Sequence, residues 1–173
     1  METNALLKKV RFLLGFFALG LVLSGITAIP LAWEISLLNR LFGEATWLEP
    51  LWPGMAHWIS FLYQGLLDTQ QKYPFISYGT DWLAFAHFVI AIAFWGPLKD
   101  PVKNLWVIDF GLIACLLILP MVTIFGPLRG IPYFWQWIDY SFGLFGIIPL
   151  WLARQYVHRI MAMNSQRPVP QGA

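Results

Sequence analysis

The chain has 173 residues, of which 58% are hydrophobic and 17% aromatic, whereas only 12% are charged. Soluble domains contain about 25% charged residues, so this composition excludes an ordinary water-facing surface. The high apolar content also excludes a disordered chain, and eleven basic against nine acidic residues are too evenly balanced for a nucleic-acid partner. The chain has a single cysteine, Cys115, which cannot form an internal disulfide. Because there is only one thiol, a zinc site built on clustered thiolates is also excluded. The composition therefore predicts a small protein embedded in a lipid bilayer.

Four apolar segments are long enough to cross a bilayer, which needs about 20 residues of helix. They cover residues 10–29, 80–98, 105–125 and 134–153. The first also has the basic start and apolar middle of a signal peptide, and we expect it to be retained as a membrane anchor. Short connections that contain Gly-Pro join the last three segments, which makes them antiparallel neighbours. The predicted fold is an all-α, integral membrane four-helix bundle.

The long connection between the first two spans, residues 31–72, contains two amphipathic patterns. Ala32 to Phe42 places apolar side chains at helical spacing, and a second pattern with an apolar and a polar face follows Pro53. We therefore predict two short amphipathic helices that cap the outer face of the bundle or lie on lipid headgroups. With the spans they form a single membrane domain, residues 1–162, followed by a Pro-containing cytoplasmic tail, residues 163–173.

The basic residues are distributed unevenly between the two sides that these spans define. The side with both termini carries eight of them, Lys8, Lys9, Arg11, Lys99, Lys103, Arg154, Arg159 and Arg167. The opposite side carries three, Arg40, Lys72 and Arg129. Because cytoplasmic loops are enriched in Lys and Arg, both termini are predicted to be cytoplasmic.

Ionisable side chains at membrane depth are the candidates for a polar site, since each is costly if it faces lipid. His87 lies well inside the second span, on a face of small residues such as Ala84 that lets another helix approach. Asp139 lies near the outer end of the fourth span, at a depth similar to that of His87. A hydrogen bond between His87 and Asp139 is therefore predicted. Asp109 lies near the inner end of the third span, too far towards the other side to reach His87 easily.

Three interpretations of His87 remain open. It is a hydrogen-bonding strut that fixes helix packing, part of a proton or substrate path with Asp139, or an axial ligand to a haem or chlorophyll-type ring. A ring held by two histidines would need a second histidine at membrane depth, and neither His57 nor His158 is predicted there. The pattern favours the strut, and neither a cofactor nor a metal site is firmly predicted.

The sequence contains no motif of a soluble-type enzyme: no Gly-rich phosphate loop, no His-Glu-x-x-His pair and no Gly-x-Ser-x-Gly turn. This absence favours a non-catalytic accessory or scaffold subunit. The many aromatic side chains, which are available for contacts with other helices or with pigments, favour the same interpretation. The partners of such a subunit would be other membrane protein subunits of a respiratory or photosynthetic complex. The alternative is a small membrane transporter or membrane enzyme that uses a buried polar site of His87 and Asp139, with Asp109 as a further candidate.

Three segments of the later part of the chain are Tyr-Pro-Phe-Ile-Ser-Tyr-Gly-Thr-Asp-Trp-Leu-Ala-Phe-Ala-His at 73–87, Asp-Pro-Val-Lys-Asn at 100–104 and Ile-Asp-Tyr-Ser-Phe-Gly at 138–143. They resemble a bacterial family of small, uncharacterised integral membrane proteins. The resemblance implies a bacterial protein with four spans, hence an inner-membrane location. It implies no activity and no catalytic residue.

Overall fold

The structure, a computed structural model, describes residues 2–166. In chain order its helices are α1 (Glu2–Ala28), α2 (Leu31–Phe42), α3 (Pro53–Lys72), a 3₁₀ helix (Pro74–Ser77), α4 (Tyr78–Ala93), α5 (Trp95–Lys99), α6 (Leu105–Leu128) and α7 (Tyr133–Ser165). No strand occurs in this part of the chain, so the all-α prediction is confirmed for it. Of the predicted tail, 163–173, the first three residues belong to α7. Residues 167–173 of the tail lie outside the described residues.

Three helical segments are long and apolar enough to cross a membrane: Glu2–Ala28, Pro74–Lys99 and Leu105–Leu128. They coincide with the first three predicted spans and indicate a membrane protein. α7 covers the fourth predicted span and is long enough to cross a membrane, but it is less apolar than these three segments and is not among the candidate spans. The physical reason lies in its composition, since tryptophans, Gln136, Asp139 and Tyr140 interrupt the apolar run of its first half.

The second predicted span, 80–98, is built from two helices, α4 and α5. Pro97 has no N–H group and cannot donate to the Ala93 carbonyl, so the regular ladder of hydrogen bonds is interrupted. At the break, the Phe94 N–H donates to the Ala91 carbonyl at 3.2 Å, over three residues instead of four. The span is therefore interrupted near its end instead of continuing as one regular helix.

The chain divides into two compact units, which are described separately. The first unit is Met1–Gly20 with Ala91–Ala173, and the second is Leu21–Ile90. The first therefore contains the start of α1 together with α5, α6 and α7, whereas the second contains the end of α1, α2, α3 and most of α4.

The core of the first unit surrounds the ring of Phe94, which is completely buried. The centroid of this ring lies 4.8 Å from that of the Phe17 ring on α1. On α6, a Cβ atom added to Gly111 would lie only 2.8 Å from the Phe94 ring. Buried aliphatic side chains of α1, α6 and α7 complete this core, namely Val10, Leu14, Ile108, Leu150, Val157 and Ile160.

In the second unit, α2 and α3 stand where the two amphipathic helices were predicted. The Ser60 hydroxyl donates to Asn39 Oδ1 at 2.8 Å and accepts from the backbone N–H of Glu44 at 2.9 Å, which joins the end of α2 to α3. A Cβ atom on Gly43 would lie 2.8 Å from Ser60 Oγ and 2.6 Å from the Asn39 carbonyl oxygen. Only glycine leaves room for this crossing. The position of the pair on the outer face stays a prediction.

Candidate functional site

α6 and α7 pack against each other as an antiparallel pair, with glycines at the points of closest approach. Near the turn between them, a Cβ atom on Gly126 would lie 2.8 Å from the Gln136 side chain. Further along, a Cβ atom on Gly143 would lie 2.9 Å from the Cys115 carbonyl oxygen, and one on Gly146 would lie 2.6 Å from Cys115 Sγ. Small residues at such positions let two helix backbones approach closely, which favours association in a membrane.

At the far end of this pair, Arg154 of α7 reaches Asp109 of α6. Arg154 Nε donates to Asp109 Oδ1 at 2.6 Å. The two side chains are 36% and 39% exposed, so the ion pair lies at the edge of the core. Each charge offsets part of the other's desolvation cost, because an unpaired charge beside apolar helices is expensive. Asp109, a predicted polar candidate, is therefore engaged with the neighbouring helix.

The partner of Asp109 was missed by sequence reasoning, although a signal for it exists. In an antiparallel pair, each step away from the turn along one helix is matched by a step along the other. Gly126 contacts Gln136 near the turn. Asp109 precedes Gly126 by 17 residues, and Arg154 follows Gln136 by 18. The register of the hairpin therefore pairs Asp109 with Arg154, whereas the charge distribution of the sequence indicates for Arg154 only a position on the cytoplasmic side.

Asp139 is half-buried on α7, next to a different polar contact. The Thr123 hydroxyl donates its proton to the Leu119 carbonyl at 2.7 Å, so the Tyr140 hydroxyl must be the donor in its 2.9 Å contact with Thr123 Oγ1. Within the described part of the first unit, the Asp139 carboxylate has no hydrogen-bond or ion-pair partner. The α6–α7 pair thus carries one paired carboxylate, Asp109, at the end far from the turn and one unpaired carboxylate, Asp139, towards the turn.

His87 lies half-buried on α4 in the second unit, and its ring is bonded to its own helix. His87 Nδ1 lies 2.7 Å from the carbonyl oxygen of Leu83. A carbonyl oxygen can only accept, so Nδ1 carries the proton and Nε2 keeps its lone pair when the ring is neutral. The chemistry left to His87 is therefore that of an acceptor or ligand through Nε2.

The small face predicted beside His87 does receive another helix. A Cβ atom on Gly25 of α1 would lie 3.1 Å from the Ala84 carbonyl oxygen and 3.2 Å from His87 Cβ. The ring of Phe88 lies closer still, at 2.8 Å from the same point. α1 and α4 are thus in tight contact here, which is the packing expected of a strut. His87 and Asp139 belong to different units, and their hydrogen bond stays a prediction.

Arg11 is a further residue whose role the sequence did not reveal. Its Nε donates to the Leu98 carbonyl at 3.0 Å and its Nη2 to the Lys99 carbonyl at 3.2 Å. These are carbonyls at the C-terminal end of α5, where the helix dipole is negative and backbone acceptors lack helical partners. One arginine of α1 therefore holds the end of α5.

The second unit also contains an ion pair at its surface. His57 Nδ1 lies 2.7 Å from Glu44 Oε1, with side chains 73% and 51% exposed, and such surface pairs contribute little stability. Among residues 2–166, no group of three or more His, Cys, Asp or Glu side chains is arranged to hold a metal ion.

Comparison with known proteins gives no match: no family model, no curated protein and no solved structure is significantly similar to this chain. The resemblance to a bacterial family therefore rests on the three segments at 73–87, 100–104 and 138–143 alone.

Proposed function

We propose that this chain is a non-catalytic accessory or scaffold subunit of a larger bacterial membrane complex, respiratory or photosynthetic. The observation that carries this proposal is the use of its charged side chains near the candidate spans. Arg154 and Asp109 join α7 to α6, and Arg11 joins α1 to α5. These groups hold helices together, as expected of a protein whose task is to present a fixed shape to its neighbours.

Four membrane spans are part of this proposal. α6 is the most apolar candidate span, and α7 follows it in antiparallel contact from Gln136 near the turn to Arg154 at the far end. A helix that packs along a spanning helix from one end to the other lies at the same membrane depth as that helix. This supports a fourth span within residues 134–153, although its tryptophans and polar residues lower its hydropathy.

The charges support an orientation with both termini in the cytoplasm of a bacterial cell. By sequence, the first unit contains nine basic and four acidic residues, whereas the second contains two basic and five acidic residues. The α2–α3 pair belongs to the unit with only two basic residues, as expected for a cap on the outer side under the positive-inside rule. The inner membrane is then the natural location.

The outward faces of the helices support contacts with other membrane components. Large apolar side chains are exposed on all the long helices, among them Phe12, Phe16, Trp82, Phe85, Trp106, Ile113, Trp137 and Phe145. Exposed apolar surface on this scale needs a lipid or protein cover. Aromatic rings supply large contact areas at low entropic cost, which suits docking of neighbouring helices or pigments.

A second candidate function is favoured by one observation, the unpaired carboxylate of Asp139. Ionisable residues at membrane depth often mark ion or substrate paths, so a small transporter or membrane enzyme using His87 and Asp139 is the alternative.

Two variants separate these proposals, His87→Phe and Asp139→Asn. A scaffold should lose stability or assembly with His87→Phe, because the α1–α4 contact changes, and should tolerate Asp139→Asn. A transporter should keep its fold in both variants and lose proton or substrate flux, measured with the purified protein in liposomes that contain a pH-sensitive dye. Flux that disappears in both variants, with unchanged assembly, would overturn the scaffold proposal.

A further inference from the structure

α2 has an apolar face that the rest of its unit leaves exposed. Trp33, Leu37 and Leu41, which we call the α2 stripe, are 66%, 43% and 48% exposed. They are spaced four residues apart, so they lie on one side of the helix from near its start to near its end. Large apolar side chains aligned in this way need a cover of lipid or protein.

The opposite side of α2 is occupied by α3. The Ser60 hydroxyl of α3 donates to Asn39 Oδ1 of α2 at 2.8 Å. Asn39 is two residues from both Leu37 and Leu41, and two residues of an α-helix turn through about 200°. Asn39 and the α3 contact therefore face away from the α2 stripe, so α3 does not cover it.

The two charged residues of α2 flank the stripe. Residues seven apart lie nearly in line on a helix, so Arg40 is in line with Trp33, and Glu34 is in line with Leu41. Arg40 is exposed and forms no ion pair with any other residue among 2–166. A tryptophan- and leucine-bearing face bordered by charges is typical of a helix in a membrane interface, where the apolar side chains enter the lipid and the charged ones stay at the headgroups.

The stripe begins close to the exposed end of a candidate span. α1 ends at Ala28, and Leu23, Ile26 and Ile29 near this end are 53%, 51% and 55% exposed. Only Ile29 and Pro30 separate α1 from α2, and two extended residues reach about 7 Å. α2 therefore begins where α1 leaves the hydrocarbon, and the lipid around α1 is within reach of the stripe.

We propose that α2 lies along the membrane surface, with the α2 stripe in the lipid and Arg40 at the phosphate groups. Trp33 and Leu41 are eight residues apart, which is about 12 Å along a helix. An upright α2 would carry Leu41 into water, whereas a helix parallel to the surface keeps the whole stripe at one depth. Tryptophan and arginine side chains both favour the headgroup level.

This arrangement distinguishes the two amphipathic helices from each other. The sequence alone leaves open whether they cap the bundle or lie on lipid headgroups. With the stripe in the lipid, α3 lies on the water side of α2, because it contacts the opposite face. The inference goes beyond the proposed function and does not require a partner subunit.

The test measures the depth of a spin label on the full chain in liposomes of phosphatidylethanolamine and phosphatidylglycerol. In a Cys115→Ala chain, the label is attached to one cysteine at a time, Trp33→Cys, Leu37→Cys or Leu41→Cys. The matched control is Gln64→Cys, at an exposed position of α3. Oxygen concentrates in the bilayer and a nickel complex stays in water, so power saturation of the electron paramagnetic resonance signal by the two agents reports depth.

We expect nickel to relax the three stripe labels several-fold less than the Gln64 label, and oxygen to relax them several-fold more. Nickel access at Leu37 equal to that at Gln64 would overturn the inference, because the stripe would then face water. Nickel access at Leu41 alone would overturn it too, since α2 would stand upright. Poor access of both agents would also overturn it, and spin–spin broadening would then identify a second copy of the chain as the cover. The chain is reconstituted without partners, so each result leaves the scaffold proposal to be decided separately.

Discussion

Arg154 Nε donates to Asp109 Oδ1 at 2.6 Å and so connects the C-terminal half of α7 to the beginning of α6. The contact lies at the end of the α6–α7 pair opposite the turn, where Gly126 packs against Gln136. Together the ion pair and the glycine contact fix the register of two antiparallel helices whose other contacts are mainly apolar. Dispersion and helix packing alone discriminate weakly between registers, whereas a displaced ion pair leaves two charges uncompensated.

Removal of one partner of this ion pair should destabilise the first unit. We expect Asp109→Asn to lower the free energy of unfolding by about 1–3 kcal/mol, because Arg154 is then left without its charged acceptor. The double variant Asp109→Asn with Arg154→Gln should cost less than the sum of the single variants. The measurement is unfolding by sodium dodecyl sulfate in mixed micelles. Lys103→Gln is the control, since its exposed pair with Asp100 should contribute little. If the losses in the free energy of unfolding of the two single variants add up to that of the double variant, Asp109 and Arg154 are not energetically coupled.

The close contact between α7 and Cys115 of α6 should not tolerate a residue larger than glycine at position 146. Gly146→Ala places a Cβ atom 2.6 Å from Cys115 Sγ, and overpacking of this kind costs about 1–3 kcal/mol. Cys115→Ala in the same chain should restore part of the loss, because Cys115 Cβ would be 3.9 Å away. Gly20→Ala, with nothing within 4 Å, should be tolerated. Thermal unfolding in detergent reports all three variants, and the absence of rescue by Cys115→Ala would contradict the assigned contact.

The junction of α2 and α3 should depend on Gly43. We expect Gly43→Ala to destabilise the second unit by about 1–3 kcal/mol, since its Cβ atom would displace Ser60 and disturb the end of α2. Gly65→Ala is the matched control on α3, where no atom lies within 4 Å, and it should be neutral or slightly stabilising. Amide hydrogen exchange of α2 and α3 measures both variants. Equal protection in Gly43→Ala and the wild-type chain would refute the role of this glycine.

The proposed orientation predicts which positions a membrane-impermeant maleimide can reach. In a Cys115→Ala chain, a cysteine at Gln70 of α3 should react in intact spheroplasts. A cysteine at Lys103, between α5 and α6, should react only after the membrane is opened. Both positions are exposed, so accessibility reports topology and not burial within the chain. If the cysteine at Lys103 reacts in intact spheroplasts and the cysteine at Gln70 does not, the orientation is the reverse of the proposed one.

The positions of the helices could be predicted because apolar length and helical periodicity are local properties of the sequence. α1, α4, α6 and the pair α2 and α3 all lie where those patterns place them. The interruption after α4 was not anticipated, although Pro97 supplies its physical cause. Mean hydropathy alone also underestimates the tendency of α7 to lie in a membrane. A tryptophan-rich helix is suited to a membrane, although tryptophan counts as moderately polar on the hydropathy scale.

The polar contacts were harder to predict because they depend on helix rotation and register. Asp109 was identified as a candidate, but its partner Arg154 follows only from the register of the hairpin. For His87, the small face beside Ala84 correctly indicated an approaching helix, which is α1. Its hydrogen bond to Leu83 is a local alternative that satisfies Nδ1 without any other helix. The hydrogen bond between His87 and Asp139 stays a prediction, and it would be a non-local contact, the kind that residue spacing specifies least.

Size-exclusion chromatography after mild detergent extraction from the native membrane tests whether this chain is a subunit of a larger membrane complex. The full absorption spectrum is recorded across the peak, and the protein content of the peak is identified. For a subunit of such a complex, we expect a particle that contains stoichiometric partner chains together with this one. A haem or chlorophyll band that is lost in His87→Phe would, in addition, identify this chain as the holder of the ring. A colourless particle that contains only this chain would contradict the account and make the His87–Asp139 path the leading proposal.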